Sequence, residues 1–135
     1  MKPGHTFALS IAFALVVTSA VAADMITTVP VKFAKGASSA TIKGSFAGYD
    51  SVHYTLDARA GQTMTVTLAG SSNANFNVFA PGDAPGAATA LGSNADRGWT
   101  GKLPKTGTYT VQVYQMRASA RRGEKVPYTI TVSIR

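Results

Sequence analysis

Tyr128-Thr129-Ile130-Thr131-Val132-Ser133-Ile134 places an apolar side chain at every second position, with hydroxyl-bearing residues between. Successive side chains of an extended chain point to opposite faces. This period of two therefore predicts a strand with one face on a core and a hydroxylated face in water. Tyr109-Thr110-Val111-Gln112-Val113 repeats the pattern, and both runs are rich in β-branched and aromatic residues. Further toward the N-terminus, Met64, Val66 and Leu68 alternate with threonines, Val52, Tyr54 and Leu56 alternate with His53 and Thr55, and Phe76 and Val78 alternate with asparagines. Weaker strands are expected at Val29 to Phe33, Ala40 to Phe46 and Trp99 to Leu103. Ala60-Gly61-Gln62, Thr106-Gly107 and the Pro/Gly-rich loop opening at Ala80-Pro81-Gly82 punctuate them. The expectation is an all-β protein: a single antiparallel β-sandwich of about eight strands. Helix is expected only as a short turn within Arg117 to Arg122, before the last strand.

The 135 residues fit one domain. With 45% hydrophobic and 14% charged residues the composition is that of a globular chain. There is no cysteine, which excludes disulfides, thiolate metal sites and a nucleophilic thiol. Residues 1–23 read as a cleavable signal peptide: Lys2 and His5 near the start, an apolar run from Phe7 to Val17, then small residues ending at Ala22-Ala23. Residues 24–135 form the expected sandwich domain, without a membrane anchor once cleaved. Removal of Lys2 lowers the formal charge from +7 to +6, since every other charged group lies beyond residue 23. Export directs that basic excess toward extracytoplasmic acidic partners rather than nucleic acid.

Catalytic constellations are missing from the sequence. Beyond residue 23 the single histidine is His53, so no histidine-based zinc site can be assembled, and no serine sits in a nucleophile elbow. The carboxylates Asp50, Asp57, Asp83, Asp96 and Glu124 are scattered, with nothing to favour any pair for glycosidase chemistry. The chain is not expected to be an enzyme, and no catalytic, cofactor-binding or metal-binding residue is assigned.

Two local features stand out. Between Arg117 and Lys125 four basic groups face only Glu124. If that segment is helical, Arg117 and Arg121 share a face at i,i+4 and repel each other, a local cost of the kind found at functional positions. Guanidinium groups are suited to carboxylate or phosphate recognition, although a solvated basic connection would have the same composition. The second feature is Gly48-Tyr49-Asp50, which puts a tyrosine at the tip of a turn. Glycine and aspartate have ordinary turn roles; tyrosine has none, and reads either as an interface anchor or as a ring folded over the sandwich edge.

The Gly48-Tyr49-Asp50 turn, Ala60-Gly61-Gln62, Thr106-Gly107-Thr108-Tyr109 and the run Gln115-Met116-Arg117-Ala118-Ser119-Ala120-Arg121 together resemble the periplasmic inhibitors of goose-type (g-type) lysozyme. The similarity extends from about Val29 to Arg135. It implies a periplasmic β-sandwich that blocks the acidic substrate cleft of a g-type lysozyme and protects peptidoglycan. The implied partner-binding residues are Tyr49, Arg117 and Arg121, with Asp50 and Arg122 as additions. Met116, where similar sequences often carry threonine, and the Ala/Gly-rich stretch from Asp83 to Asp96 depart from the pattern. The pieces Ala-Gly-Gln and Thr-Gly-x-Tyr also occur in pre-peptidase sandwich domains. The alternative they leave open is a module that binds peptidoglycan or another anionic envelope polymer directly.

Overall fold

A computed structural model describes residue 4 and residues 24–94 and 97–135. The signal peptide expected at residues 1–23 thus lies outside the described residues, as does Asp96. Among the described residues nine strands and one short helix follow in chain order: β1 (Ile26–Pro30), β2 (Ser39–Ala47), β3 (Ser51–Ala58), β4 (Thr63–Gly70), β5 (Asn75–Phe79), β6 (Gly92–Ser93), β7 (Gly98–Lys102), β8 (Gly107–Tyr114), α1 (Arg117–Ala120) and β9 (Lys125–Ile134). They form two sheets, one ordered β1-β3-β8-β5-β6 and the other β2-β9-β4-β7. This is the all-β sandwich expected from the alternating runs.

The inward positions of those runs make the core. Tyr109, Val111 and Val113 of β8 are fully buried, as are Met64 and Val66 of β4, Phe76 and Val78 of β5, and Val126, Ile130 and Val132 of β9. Near the centre, the Tyr54 and Tyr128 hydroxyls hydrogen-bond across the sheets at 2.7 Å. Two buried phenols satisfy each other there, and their rings meet nearly edge to face at 87°. Gly44 on β2 makes room for them, because a Cβ at that position would run into both hydroxyls. Burial pushes both phenols above the usual tyrosine pKa; the shared hydrogen bond raises Tyr128 further and offsets part of the rise at Tyr54.

Two details differ from the sequence expectation. The first strand comes three residues earlier than the expected Val29 to Phe33, and it pairs with β3 in parallel, Ile26 opposite Ser51 and Pro30 opposite Thr55. The cause is topological. β1 and β3 lie in one sheet with β2 of the other sheet between them in sequence, so two chain reversals leave them pointing the same way. Val31 and Phe33 still pack against the core beyond the strand end, which is why their alternation resembles a strand. The second detail is β6, two residues paired with Asn77 and Val78, lying within the stretch expected to be a loop. A strand of that length has no periodicity to detect.

Candidate functional site

Both features singled out in the sequence lie at one end of the sandwich. β2 ends at Ala47 opposite Lys125, the first residue of β9, and β3 begins at Ser51. β8 brings Val113 opposite Val52 and then runs into Gln115. The turn 48–50 and the segment 115–124 therefore leave the same end of the two sheets and meet there.

The backbone fixes this meeting. Gly48, with φ of 60°, occupies the left-handed region that favours glycine, and its N–H donates to the Glu124 carbonyl at 3.2 Å. Gln115 reinforces the junction. Its Nε2 donates to the Gly48 carbonyl at 3.0 Å and to the Glu124 carbonyl at 2.8 Å, and the residue is only 6% exposed. One buried amide thus ties the tyrosine turn to the arginine segment. Sequence reasoning gave Gln115 no role beyond its place in the run. Yet it continues the inward phase of Tyr109, Val111 and Val113, and a polar residue in a core phase is the signal that marks it.

On this base α1 forms a single turn. Met116 precedes it in extended conformation, Ser119 Oγ donates back to the Met116 carbonyl at 3.1 Å, and Arg121 N–H donates to the Arg117 carbonyl at 2.9 Å. Ser119 and Ala120 face inward, whereas Arg117 and Arg121, one turn apart, are exposed. Neither arginine makes an ion pair among the described residues. Arg122 differs: its Nε lies 3.1 Å from Glu124 Oε1, and Asn73 Nδ2 donates to the other Glu124 oxygen at 2.7 Å. Glu124 therefore partly neutralises Arg122 and pins the segment to the β4–β5 turn, leaving Arg117, Arg121 and Lys125 as the uncompensated cations. Such an exposed pair contributes little to stability, but it fixes direction.

Tyr49 projects outward and is 47% exposed, which decides between the two readings of this turn in favour of a free ring. Asp50 is partly engaged, since its Oδ1 accepts the Met25 N–H at 2.8 Å and anchors the start of β1. The structure thus brings Tyr49, Asp50, Arg117, Arg121 and Arg122 to one end, with Tyr49, Arg117 and Arg121 the freest of them.

No group of three His, Cys, Asp or Glu side chains capable of holding a metal occurs among the described residues. No helix among them is long and apolar enough to cross a membrane. His53 lies on the outer face of β3 and is half-buried; its Nε2 is buried without a hydrogen-bond partner among the described residues, and desolvation lowers its pKa. A cavity of about 260 Å³ opens on the flank, lined by Val29, Gly44, Tyr54 and Tyr128 among others, and none of the five candidate residues lines it.

Residues 50–115, from the end of the tyrosine turn to the clamp glutamine, match the model of the bacterial pre-peptidase C-terminal domain. That match covers less than half of the chain and none of the arginine segment. Longer matches include it. The inhibitor of g-type lysozyme from Escherichia coli (strain K12) is 32% identical over 108 residues, covering 79% of this chain and 80% of that one. The crystal structure of Aeromonas hydrophila PliG, a periplasmic inhibitor of g-type lysozyme, superposes with a TM-score of 0.82 at 68% identity, covering 84% of this chain and all of that one. Salmonella Typhimurium PliG gives 0.64 at 28% identity over 81% of this chain and 98% of its own. At this identity and coverage the chain belongs to the family of periplasmic inhibitors of g-type lysozyme.

Proposed function

We propose that this protein, exported and freed of residues 1–23, inhibits a g-type lysozyme by inserting the Arg117–Arg121 turn into the enzyme's substrate cleft, with Tyr49 packed beside it. The observation that carries this reading is the placement of two exposed, unpaired arginines one helical turn apart, on a segment clamped from beneath to an exposed tyrosine. A glycosidase cleft carries carboxylates and must stay open to a polysaccharide, so a protruding cationic turn can fill it without offering a bond to cleave. Arg117 and Arg121 act as charge-assisted donors to those carboxylates, where displacement of water strengthens each contact. Tyr49 supplies a large, conformationally simple contact surface. Arg122 and Asp50 set the shape of the rim through Glu124 and Met25 and touch the enzyme at its margin. The protein's role is stoichiometric blockade, with no bond made or broken.

The pre-peptidase module that binds an envelope polymer directly is the competing reading, favoured only by the match over residues 50–115. One experiment separates them. The processed protein is titrated against goose-type, chicken-type and invertebrate-type lysozymes in a cell-wall lysis assay, alongside sedimentation with cell wall alone. Protection against the goose-type enzyme without co-sedimentation is expected. Co-sedimentation without protection would replace inhibition by polymer binding.

A further inference from the structure

Among the described residues four large apolar side chains are exposed: Met25 at 65%, Ile26 at 63%, Tyr49 at 47% and Met116 at 61%. All four lie at the end that carries the arginines. Scattered exposed apolar residues are normal on a protein surface; their gathering at one place is informative. The parallel pairing of β1 produces it. Ile26 stands opposite Ser51, Met25 accepts a hydrogen bond from Ser51 N–H at 2.9 Å, and Met25 N–H donates to Asp50. An antiparallel β1 would have carried both residues to the far end of the sandwich. On the other side of Tyr49, Met116 immediately precedes Arg117.

Neither Met25 nor Ile26 takes part in the core. Attachment of this part of the chain falls to Val29, Val31 and Phe33, which do pack against it. Two large apolar side chains held in water by a strand that does not need them are a cost without a structural return. Beside exposed arginines they have a use, because contacts that exclude water around a charged centre lower the local dielectric and strengthen the charged contacts.

We propose that Met25 and Ile26 on one side and Met116 on the other form apolar shoulders of the lysozyme-binding face, which pack on apolar surface bordering the enzyme's acidic cleft. This rests on the reading that the Arg117–Arg121 turn enters that cleft. It also defines the partner's chemistry. The surface fits a folded protein with an acidic groove and an apolar collar, whereas a polyanionic polymer would use the arginines and leave the shoulders in water.

The test compares three forms of the processed protein, each with intact mass checked so that all begin at the same residue: wild type, Met25→Ser/Ile26→Ser, and Arg117→Ala/Arg121→Ala. Half-inhibitory concentration against goose-type lysozyme is read with thermal unfolding. The shoulder variant is expected to need at least fivefold more protein while unfolding at the wild-type temperature. Wild-type inhibition by the shoulder variant, alongside weakened inhibition by the arginine variant, overturns the shoulders and leaves the cleft reading standing. Full inhibition by both variants overturns the cleft reading and the shoulders with it. Should the shoulder variant unfold early, Met116→Ser carries the test from a different element, with the same fold-loss expected and wild-type inhibition again contradicting the proposal.

Discussion

At the scale of single residues, two buried polar groups give opposite expectations. Tyr54 and Tyr128 satisfy each other at 2.7 Å in the core. Tyr54→Phe strands the Tyr128 hydroxyl without its partner, and a loss of about 1–3 kcal/mol is expected in chemical denaturation. Tyr54→Phe/Tyr128→Phe removes both polar atoms and should recover most of that loss; a double variant less stable than the single one would show that the pair is not mutually satisfied. His53 offers no such exchange, since its buried Nε2 has no partner among the described residues and its pKa lies below the usual 6.5. Well above pH 6.5 the ring is neutral in both folded and unfolded chains. As the pH falls below that value the unfolded chain takes up a proton that the folded chain resists, so stability declines. Between pH 7.5 and 5.5, His53→Gln should lose less stability than wild type, and equal losses would assign the acid sensitivity elsewhere. The alternation of β3 foretold which face carries His53. The missing partner was not legible, because it depends on the strands that three-dimensional pairing sets beside it.

At the scale of elements, the long strands were legible because each presents one face to a core; their alternation is a direct record of burial. β1 was legible only at its end, Val29 and Pro30, since as a parallel edge strand it is nearly all exposed and only Val29 among its residues turns inward. The candidate site was legible in part. Excess charge and an unexplained tyrosine marked Arg117, Arg121 and Tyr49, whereas their joining depends on Gln115, whose contacts at Gly48 and Glu124 lie 67 and 9 residues away. Gln115→Ala removes the clamp and leaves two carbonyls with fewer donors. Inhibition of goose-type lysozyme should weaken about tenfold or more, with the melting temperature lowered modestly. Wild-type inhibition by this variant would mean that the turn and the arginine segment hold their positions independently. Gln115→Glu distinguishes positioning from bulk: it keeps the volume but cannot supply the two N–H donors, so it should behave like the alanine variant.

At the scale of the whole molecule, a cysteine-free sandwich supplies the platform, and the candidate residues gather on the loops at one end of it. A formal charge of +7 by itself suits a polyanion binder as well as a protein that meets an acidic cleft. Two of the arginines are engaged, Arg97 turning inward to donate to the Leu68 and Ser71 carbonyls and Arg122 lying against Glu124, whereas Arg117 and Arg121 make no ion pair among the described residues. Desolvated arginine–carboxylate contacts lose about 2–5 kcal/mol when one partner is removed, which is tenfold or more in affinity. The most direct measurement is therefore the titration of goose-type lysozyme with Arg117→Ala/Arg121→Ala beside wild type, thermal unfolding confirming that both are folded. Loss of inhibition by at least about tenfold at an unchanged melting temperature is expected. Inhibition within twofold of wild type would contradict the assignment of this turn to the enzyme's cleft.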